Sequence, residues 1–355
     1  MKKPICIMAG GTGGHIFPGL AVAEELIKRG ETVHWIGSKH GLEGRLVPEK
    51  GIPMHYLAVR ALRGKSGLQR ITAPMRLGFS IFQALILMSR LKPSVCVGFG
   101  GYPAGPGGLA AKIMNVPVVI HEQNAVAGMT NKYLAKFATK VLAAFPNVIE
   151  GAECVGNPIR PEIDSVGLQR IGQGQQEIDK TRVLVIGGSQ GAKALNEQLP
   201  EKLKVVASQF GIEVTHQTGV SGQNQVDEQY QALDLDATVV AFIGRMDEAY
   251  RDADIVVCRA GALTVSELAS AAMPSVLIPF PYAVDDHQTK NSQHLQSVGA
   301  AVVVQEKDLD IFVAKLSDIL RAPENLTLMA RAARSVAKPE ATKHVADRVM
   351  EVAHG

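Results

Sequence analysis

The 355-residue sequence holds a single tryptophan, and Phe, Trp and Tyr together make up 5% of it. So few aromatic rings argue against a stacking platform for single-stranded nucleic acid. The four cysteines, Cys6, Cys96, Cys154 and Cys258, lie far apart with no CxxC or Cys/His spacing. That pattern suggests neither zinc nor a disulfide framework and fits reduced thiols in a cytosolic protein. Three of them, Cys6, Cys96 and Cys258, sit inside apolar, strand-like runs. Long apolar stretches are missing too: the longest, residues 79–88, is interrupted by Gln83 and cannot span a bilayer. The apolar run 5–9 behind Lys2 and Lys3 is too short for a signal peptide. Together these absences predict a soluble or peripheral protein.

Acidic residues are absent from Lys50 to His121, and this local lack is part of a larger asymmetry. Residues 1–160 hold 19 Lys/Arg against 8 Asp/Glu, and residues 161–355 hold 18 against 26, a net +11 and −8 behind the overall +3. A basic half joined to an acidic half predicts an anionic partner for one side only. With 46% apolar and 20% charged residues the chain is neither disordered nor a coiled coil, and its length predicts roughly two domains.

Apolar periodicity resolves both domains. Residues 4–9 read as a buried strand, residues 10–14 as the glycine turn GGTGG, and Ile16, Leu20, Ala23 and Ile27 then recur at helical spacing until Gly30. Further strand-like runs fall at 32–36, 94–98, 116–120 and 140–144. The same grammar restarts at 182–186, with the turn GGSQG at 187–191 and a helix from about Ala192. Strands are expected again at 213–216, 238–242, 255–258, 275–279 and 300–304. Alternating strands and helices predict two α/β domains with parallel sheets, residues 1–158 and 159–338, joined near Gly156, Asn157 and Pro158. A last helix over about 339–355, with Ala341, Val345, Val349 and Val352 on one face, is expected to return to the first domain.

Neither glycine turn fits the dinucleotide fingerprint, because Ile16 and Ser189 stand where glycines are required. The P-loop pattern fails at Val59. Each turn still has the shape of a phosphate site, since glycines admit close approach and a helix start offers free N–H groups; the alternative is a tight turn alone. His15 closes the first turn, either as a surface or capping residue or as a base, because a helix start disfavours the imidazolium. Thr264 and Glu267 form either a capping box or, with Gly261 and Ala262, a diphosphate-binding helix start with Glu267 placed to accept from a ribose diol. The DxD pairs at 234/236, 252/254 and 308/310 read as solvated charge, and His121-Glu122 is not HExxH, so no metal is expected. Residues 60–92 interleave seven Lys/Arg with apolar side chains, either a core helix with solvated arginines or an interfacial element. No nucleic-acid-binding module is visible.

Taken in order, MAGGTGGHIFPGLAVAEEL, GFGGYPAGPGGLAA, HEQNAVAGMTNK, VGNPIR, VLVIGGSQGA and CRAGALTVSELA resemble the MurG family of peptidoglycan N-acetylglucosaminyltransferases. The resemblance covers nearly the whole chain. It implies the GT-B fold, two Rossmann-like domains facing a cleft, with UDP-N-acetylglucosamine (UDP-GlcNAc) as donor. It implies lipid I, the undecaprenyl-linked muramoyl-pentapeptide, as acceptor and lipid II as product, formed by metal-independent, inverting transfer with no cofactor. Carried over residue by residue, the donor contacts fall on Thr12, Gly13, Gly14, Asn124, Arg160, Ser189, Ile243, Ala262, Leu263, Thr264, Val265, Ser266, Glu267 and Gln288, with His15 as the base. His287 stands where many relatives have the first of two glutamines. A membrane patch of Arg70, Ile71, Met75, Arg76 and Phe79 would dock the protein on anionic lipid at the cytoplasmic face of the bacterial inner membrane. Cell-wall synthesis proteins are the protein partners this role would bring. The competing expectations are a nucleotide-sugar epimerase of the same fold and a non-catalytic UDP-sugar-binding membrane scaffold.

Overall fold

The computed structural model describes residues 2–59, 73–173, 179–188 and 191–355. Contacts divide the chain into two compact units, Met1–Ile159 with Glu340–Gly355, and Arg160–Pro339.

The first unit is built on a seven-stranded parallel sheet ordered β3-β2-β1-β4-β5-β6-β7. Its strands are β1 (Ile5–Ala9), β2 (Val33–Gly37), β3 (Met54–Tyr56), β4 (Val95–Gly100), β5 (Val118–Glu122), β6 (Lys140–Ala143) and β7 (Glu153–Cys154). Helices on both faces bury β1 completely, which is why it reads as an unbroken apolar run. Its alternate residues feed different cores. Ile5, Ile7 and Ala9 pack with Leu20, Ala23 and Leu26 of helix α1 (Gly13–Lys28), and Val345 and Val349 of the C-terminal helix Ala341–His354 join the same cluster. Cys6 and Met8 pack on the other face with Ala84, Met88, Ala104 and Ala110. Cys6 and Cys96 are register partners on β1 and β4, both buried free thiols, whereas Cys154 is exposed.

The second unit carries a six-stranded parallel sheet ordered β10-β9-β8-β11-β12-β13. The strands are β8 (Thr181–Ile186), β9 (Ile212–Gln217), β10 (Ala237–Val240), β11 (Ile255–Cys258), β12 (Ser275–Leu277) and β13 (Ala301–Val303). Val183, Val185, Val214 and Val257 lie at the centre of its core, with Leu195, Leu199 and Leu203 of the helix Lys193–Ala207.

In both sheets the strand order reverses beside the first strand, between β1 and β4 and between β8 and β11. Open α/β sheets bind ligands at the carboxyl ends of the strands at such a switch point. The two glycine turns follow β1 and β8, so each unit carries its turn at that position.

Candidate active site

The first glycine turn runs from β1 into α1. Thr12 is the N-cap residue, extended at φ −105° and ψ 159°, and its carbonyl accepts from the N–H of His15 and of Ile16. Gly13 and Gly14 open the helix, where a helix leaves its N–H groups without intrahelical acceptors. Close approach of main chain explains the glycine behind β4: a Cβ on Gly101 would lie 2.0 Å from the Gly10 carbonyl oxygen. His15 is half-buried in the first turn of α1, facing Gly100 on one side. Its Nδ1 lies 2.9 Å from Oε1 of Gln123, which follows β5.

Gln123 belongs to a fully buried polar chain. Its Nε2 lies 3.1 Å from His121 Nδ1 and donates to the His121 carbonyl at 2.9 Å. His121 Nε2 donates to the Gly156 carbonyl at 2.8 Å. Burial pushes the His121 imidazole down to about 4, so it is neutral at physiological pH. The neighbouring Glu122 is buried and accepts from the N–H of Asn124 and Gly128 at 3.0 Å each and from Asn131 Nδ2 at 2.9 Å. Asn124 also directs its side-chain amide at Glu122, 3.3 Å away. Beneath the first turn, Glu43 is buried and accepts from the N–H groups of Gly11 (3.2 Å) and Ser38 (3.0 Å) and from the Ser38 hydroxyl (2.6 Å). Gln123, Glu43, His121 and Glu122 are residues of this region whose roles sequence reasoning missed. Gln123 stands inside the HEQN string, the one signal that pointed towards it.

In the second unit, β11 turns at Gly261 into the helix Ala262–Ser270. Gly261 is the N-cap, so Thr264 lies inside the first turn, and the capping-box expectation for Thr264 and Glu267 is overturned. Glu267 instead points at two donors of its own unit: the Tyr250 hydroxyl donates to it at 3.2 Å, and Arg160 Nη2 lies 3.6 Å away. Burial raises the Glu267 carboxyl above the usual carboxylate range, while Arg160 and Tyr250 pull it back. The hydroxyl of the fully buried Tyr250 is raised in turn, by burial and then by Glu267. Ala262, Leu263, Thr264, Val265 and Ser266 form the helix start itself.

Gln288 lies in the first turn of the helix His287–Gln296 and accepts from the Phe280 N–H at 2.9 Å. Asn291, one turn on, is buried and donates to the Ala260 carbonyl at 3.1 Å, tying this helix to the turn behind β11. Ile243 is half-buried beside the exposed Phe242. Ser189, Arg70 and Ile71 lie outside the described residues. The expectation of solvated charge for the DxD pairs fails at Asp254, which is buried and accepts from the Arg182 guanidinium at 2.8 and 3.1 Å and from the Arg182 N–H at 2.8 Å. Among the described residues no group of three or more His, Cys, Asp or Glu is arranged to hold a metal ion.

Met75, Arg76 and Phe79 all lie on the helix Ala73–Leu91 and are exposed. This helix is apolar on two sides. Ser80, Ala84 and Met88 face the core, while Met75, Phe79, Phe82 and Ile86 form an exposed stripe, with Met75 79% and Phe82 59% accessible. Among the described residues no helix is long and apolar enough to cross a membrane.

Each unit is a Rossmann-like parallel sheet whose switch point lies beside its first strand, the layout of a nucleotide-binding α/β domain. Comparison with known proteins takes the assignment further. The model of the glycosyltransferase family 28 N-terminal domain matches residues 5–143, and that of the family 28 C-terminal domain matches residues 182–347. The chain belongs to glycosyltransferase family 28. It is 47% identical, over 99% of both chains, to a Pseudomonas putida protein named UDP-N-acetylglucosamine--N-acetylmuramyl-(pentapeptide) pyrophosphoryl-undecaprenol N-acetylglucosamine transferase. A Pseudomonas syringae protein of the same name is also 47% identical, over the full length of both. Among solved structures, Acinetobacter baumannii MurG superposes with a TM-score of 0.86 at 40% identity, covering 98% of this chain and 99% of that one. A putative UDP-N-acetylglucosamine 2-epimerase from Listeria monocytogenes, TM-score 0.67 at 12% identity, shares the fold alone.

Proposed function

We propose that the protein transfers N-acetylglucosamine from UDP-GlcNAc to the 4-hydroxyl of the muramoyl sugar of lipid I, forming lipid II for peptidoglycan, with inversion at the anomeric carbon. The observation that carries this reading is the 47% identity to transferases named for that donor and acceptor, extending over 99% of the chain.

The acceptor hydroxyl attacks the anomeric carbon, the bond from that carbon to the diphosphate oxygen breaks, and UDP leaves. The hydroxyl proton passes to His15. The negative charge that develops on UDP is met by the helix-start amides at Ala262, Leu263 and Thr264 and by Arg160, which is half-exposed beside Glu267. Glu267 accepts from the ribose diol and Ile243 bounds the uracil. Thr12, Gly13, Gly14, Asn124, Ser189 and Gln288 complete the substrate contacts, with Val265 and Ser266 lining the same helix start. Glu43 holds the first loop through the Gly11 N–H, and Gln123 holds the His15 side chain.

An acceptor on a polyprenyl lipid sits at a membrane surface, so the enzyme works there, at the cytoplasmic face of the bacterial inner membrane where nucleotide sugars are made. The exposed stripe of Met75, Phe79 and Phe82, flanked by Arg76 and Arg90, supports docking by this helix on anionic lipid.

The test is incubation with UDP-GlcNAc and a short-chain lipid I analogue, with products identified by mass. The expected product is the analogue carrying one added N-acetylhexosamine, with UDP released only when acceptor is present. UDP release or sugar epimerisation without acceptor, and no addition with it, would refute transfer.

A further inference from the structure

The polar chain behind His15 contains two acceptors that cannot donate, and these set its polarity. The Gly156 carbonyl lies 2.8 Å from His121 Nε2, so that nitrogen carries the hydrogen. A neutral imidazole then presents a lone pair at Nδ1. Gln123 places one end of its amide 3.1 Å from that lone pair and 2.9 Å from the His121 carbonyl. Both partners demand a donor, and only the NH2 end supplies two hydrogens. The amide oxygen must therefore face the other way, where it lies 2.9 Å from His15 Nδ1. An amide oxygen only accepts, so His15 carries its hydrogen on Nδ1 and its lone pair on Nε2.

We propose that Gln123 is a positioning residue that locks His15 in the Nδ1–H tautomer, making Nε2 the atom that removes the acceptor's proton. The inference rests on His15 being the base. When Nε2 takes the hydroxyl proton, His15 becomes an imidazolium with both nitrogens protonated. Gln123 relays no proton; its carbonyl dipole stays aimed at Nδ1–H and stabilises the new charge. A free histidine side chain favours the opposite tautomer, in which Nε2 is protonated and unable to act, so the lock has work to do. Its rigidity comes from complete burial: Gln123 and His121 are both 0% exposed. The main chain around them is pinned as well. Asn157 Nδ2 donates to the Gln123 carbonyl at 3.1 Å, and Asn131 Nδ2 donates to the His121 carbonyl at 3.1 Å. The low basicity of His121 keeps the chain's polarity constant across the neutral range. The logic is that of a catalytic triad, in which the third residue orients the base and selects its tautomer.

The experiment is two-bond 1H–15N correlation on full-length protein labelled with 15N-histidine, near neutral pH, with His15 assigned by comparison with His15→Gln. The expected wild-type pattern is a protonated Nδ1 and a bare Nε2. Gln123→Met, which keeps the volume and removes the acceptor, should shift His15 towards the Nε2–H form and lower kcat roughly tenfold to a hundredfold. KM for UDP-GlcNAc should move less than about twofold, as the lost contact serves the chemical step alone. Gln123→Glu keeps the acceptor facing His15 and should retain the Nδ1–H form, and it is read by the spectrum and not by kcat because it loses the two-hydrogen donor facing His121. A wild-type spectrum with Nε2 protonated overturns the inference, and needs no variant to fold. So does a Gln123→Met protein with an unchanged tautomer, or with a changed tautomer and unchanged kcat. Wild-type turnover in His15→Ala would instead sink the base assignment, and the tautomer spectrum would still decide the lock.

Discussion

Replacing Glu267 by Gln removes a charge and leaves the shape. The carboxylate is 8% exposed, accepts from Tyr250 at 3.2 Å and has Arg160 Nη2 at 3.6 Å. If it accepts from the ribose diol, losing its charge-assisted bonds should weaken UDP by about 1.5–3 kcal/mol, roughly ten- to a hundredfold in Kd. Titration calorimetry at several pH values reads this. Because burial raises the folded-state pKa of Glu267, the native protein holds that proton to a higher pH than the unfolded chain does. The stabilising contribution of the protonated form is therefore complete below the unfolded pKa and is lost as pH rises through the raised one. UDP affinity runs the other way: it is full when the carboxylate is ionised and falls as pH drops through that raised pKa. In Glu267→Gln both slopes should flatten. Glu267→Ala should also cost about 1–3 kcal/mol of stability, because the buried Tyr250 hydroxyl loses its acceptor. Unchanged UDP affinity in Glu267→Gln, with a lowered melting temperature, would refute the ribose role and leave Glu267 as a partner for Tyr250 alone.

His15→Ala should lower kcat by roughly a hundredfold or more with UDP affinity unchanged by calorimetry, and near-normal turnover would remove His15 from the reaction. The double substitution Met75→Ser with Phe79→Ser should release the protein from anionic vesicles in co-sedimentation, since each buried side chain contributes about 1.5–3 kcal/mol; equal retention would place the docking surface elsewhere. Neutralising Arg76 should weaken the same binding by about 1 kcal/mol, and added salt should mask the effect. Asp254→Ala should destabilise the second unit by about 1–3 kcal/mol in denaturant unfolding, because the Arg182 N–H and guanidinium lose their acceptor; no loss would mean the half-exposed Arg182 is satisfied by water.

The sheets were legible because strands buried on both faces read as unbroken apolar runs closed by glycine, as β1 and β8 do. The edge strands β3 and β7 have three and two residues and are half-exposed, too short for any period to show. His15 was legible from its place at a helix start. Gln123 was not, because its bond to His15 spans 108 residues and exists only because β5 lies one strand beyond β4 beside β1. The same reason hid the pairing of Asp254 with Arg182, 72 residues apart: DxD is a local pattern and the partner is tertiary. The Thr264/Glu267 spacing misled in the opposite direction. Gly261 takes the cap three residues earlier, so a sequence match to a capping box lands inside the helix.

Two buried carboxylates explain how loops rich in glycine hold a geometry fit for catalysis. Glycine makes the turn behind β1 conformationally permissive, and a loose turn would let His15 wander. Burying Glu43 and Glu122 would be costly without donors, and in each case the donors are loop N–H groups. Glu43 thereby ties Gly11, behind β1, to Ser38, behind β2. Glu122 ties Asn124 to Gly128 across the loop that carries Gln123. Gly10 belongs to the first of these clamps, for a Cβ there would lie 2.5 Å from Glu43 Oε1 and expel the carboxylate. The glycines thus admit both the substrate and the carboxylate that stiffens the loop around it, and flexibility in the sequence becomes preorganisation in the fold. Breaking either clamp should therefore reduce turnover, through Glu43 by loosening His15 and through Glu122 by loosening Gln123 together with Asn124, the substrate contact it holds.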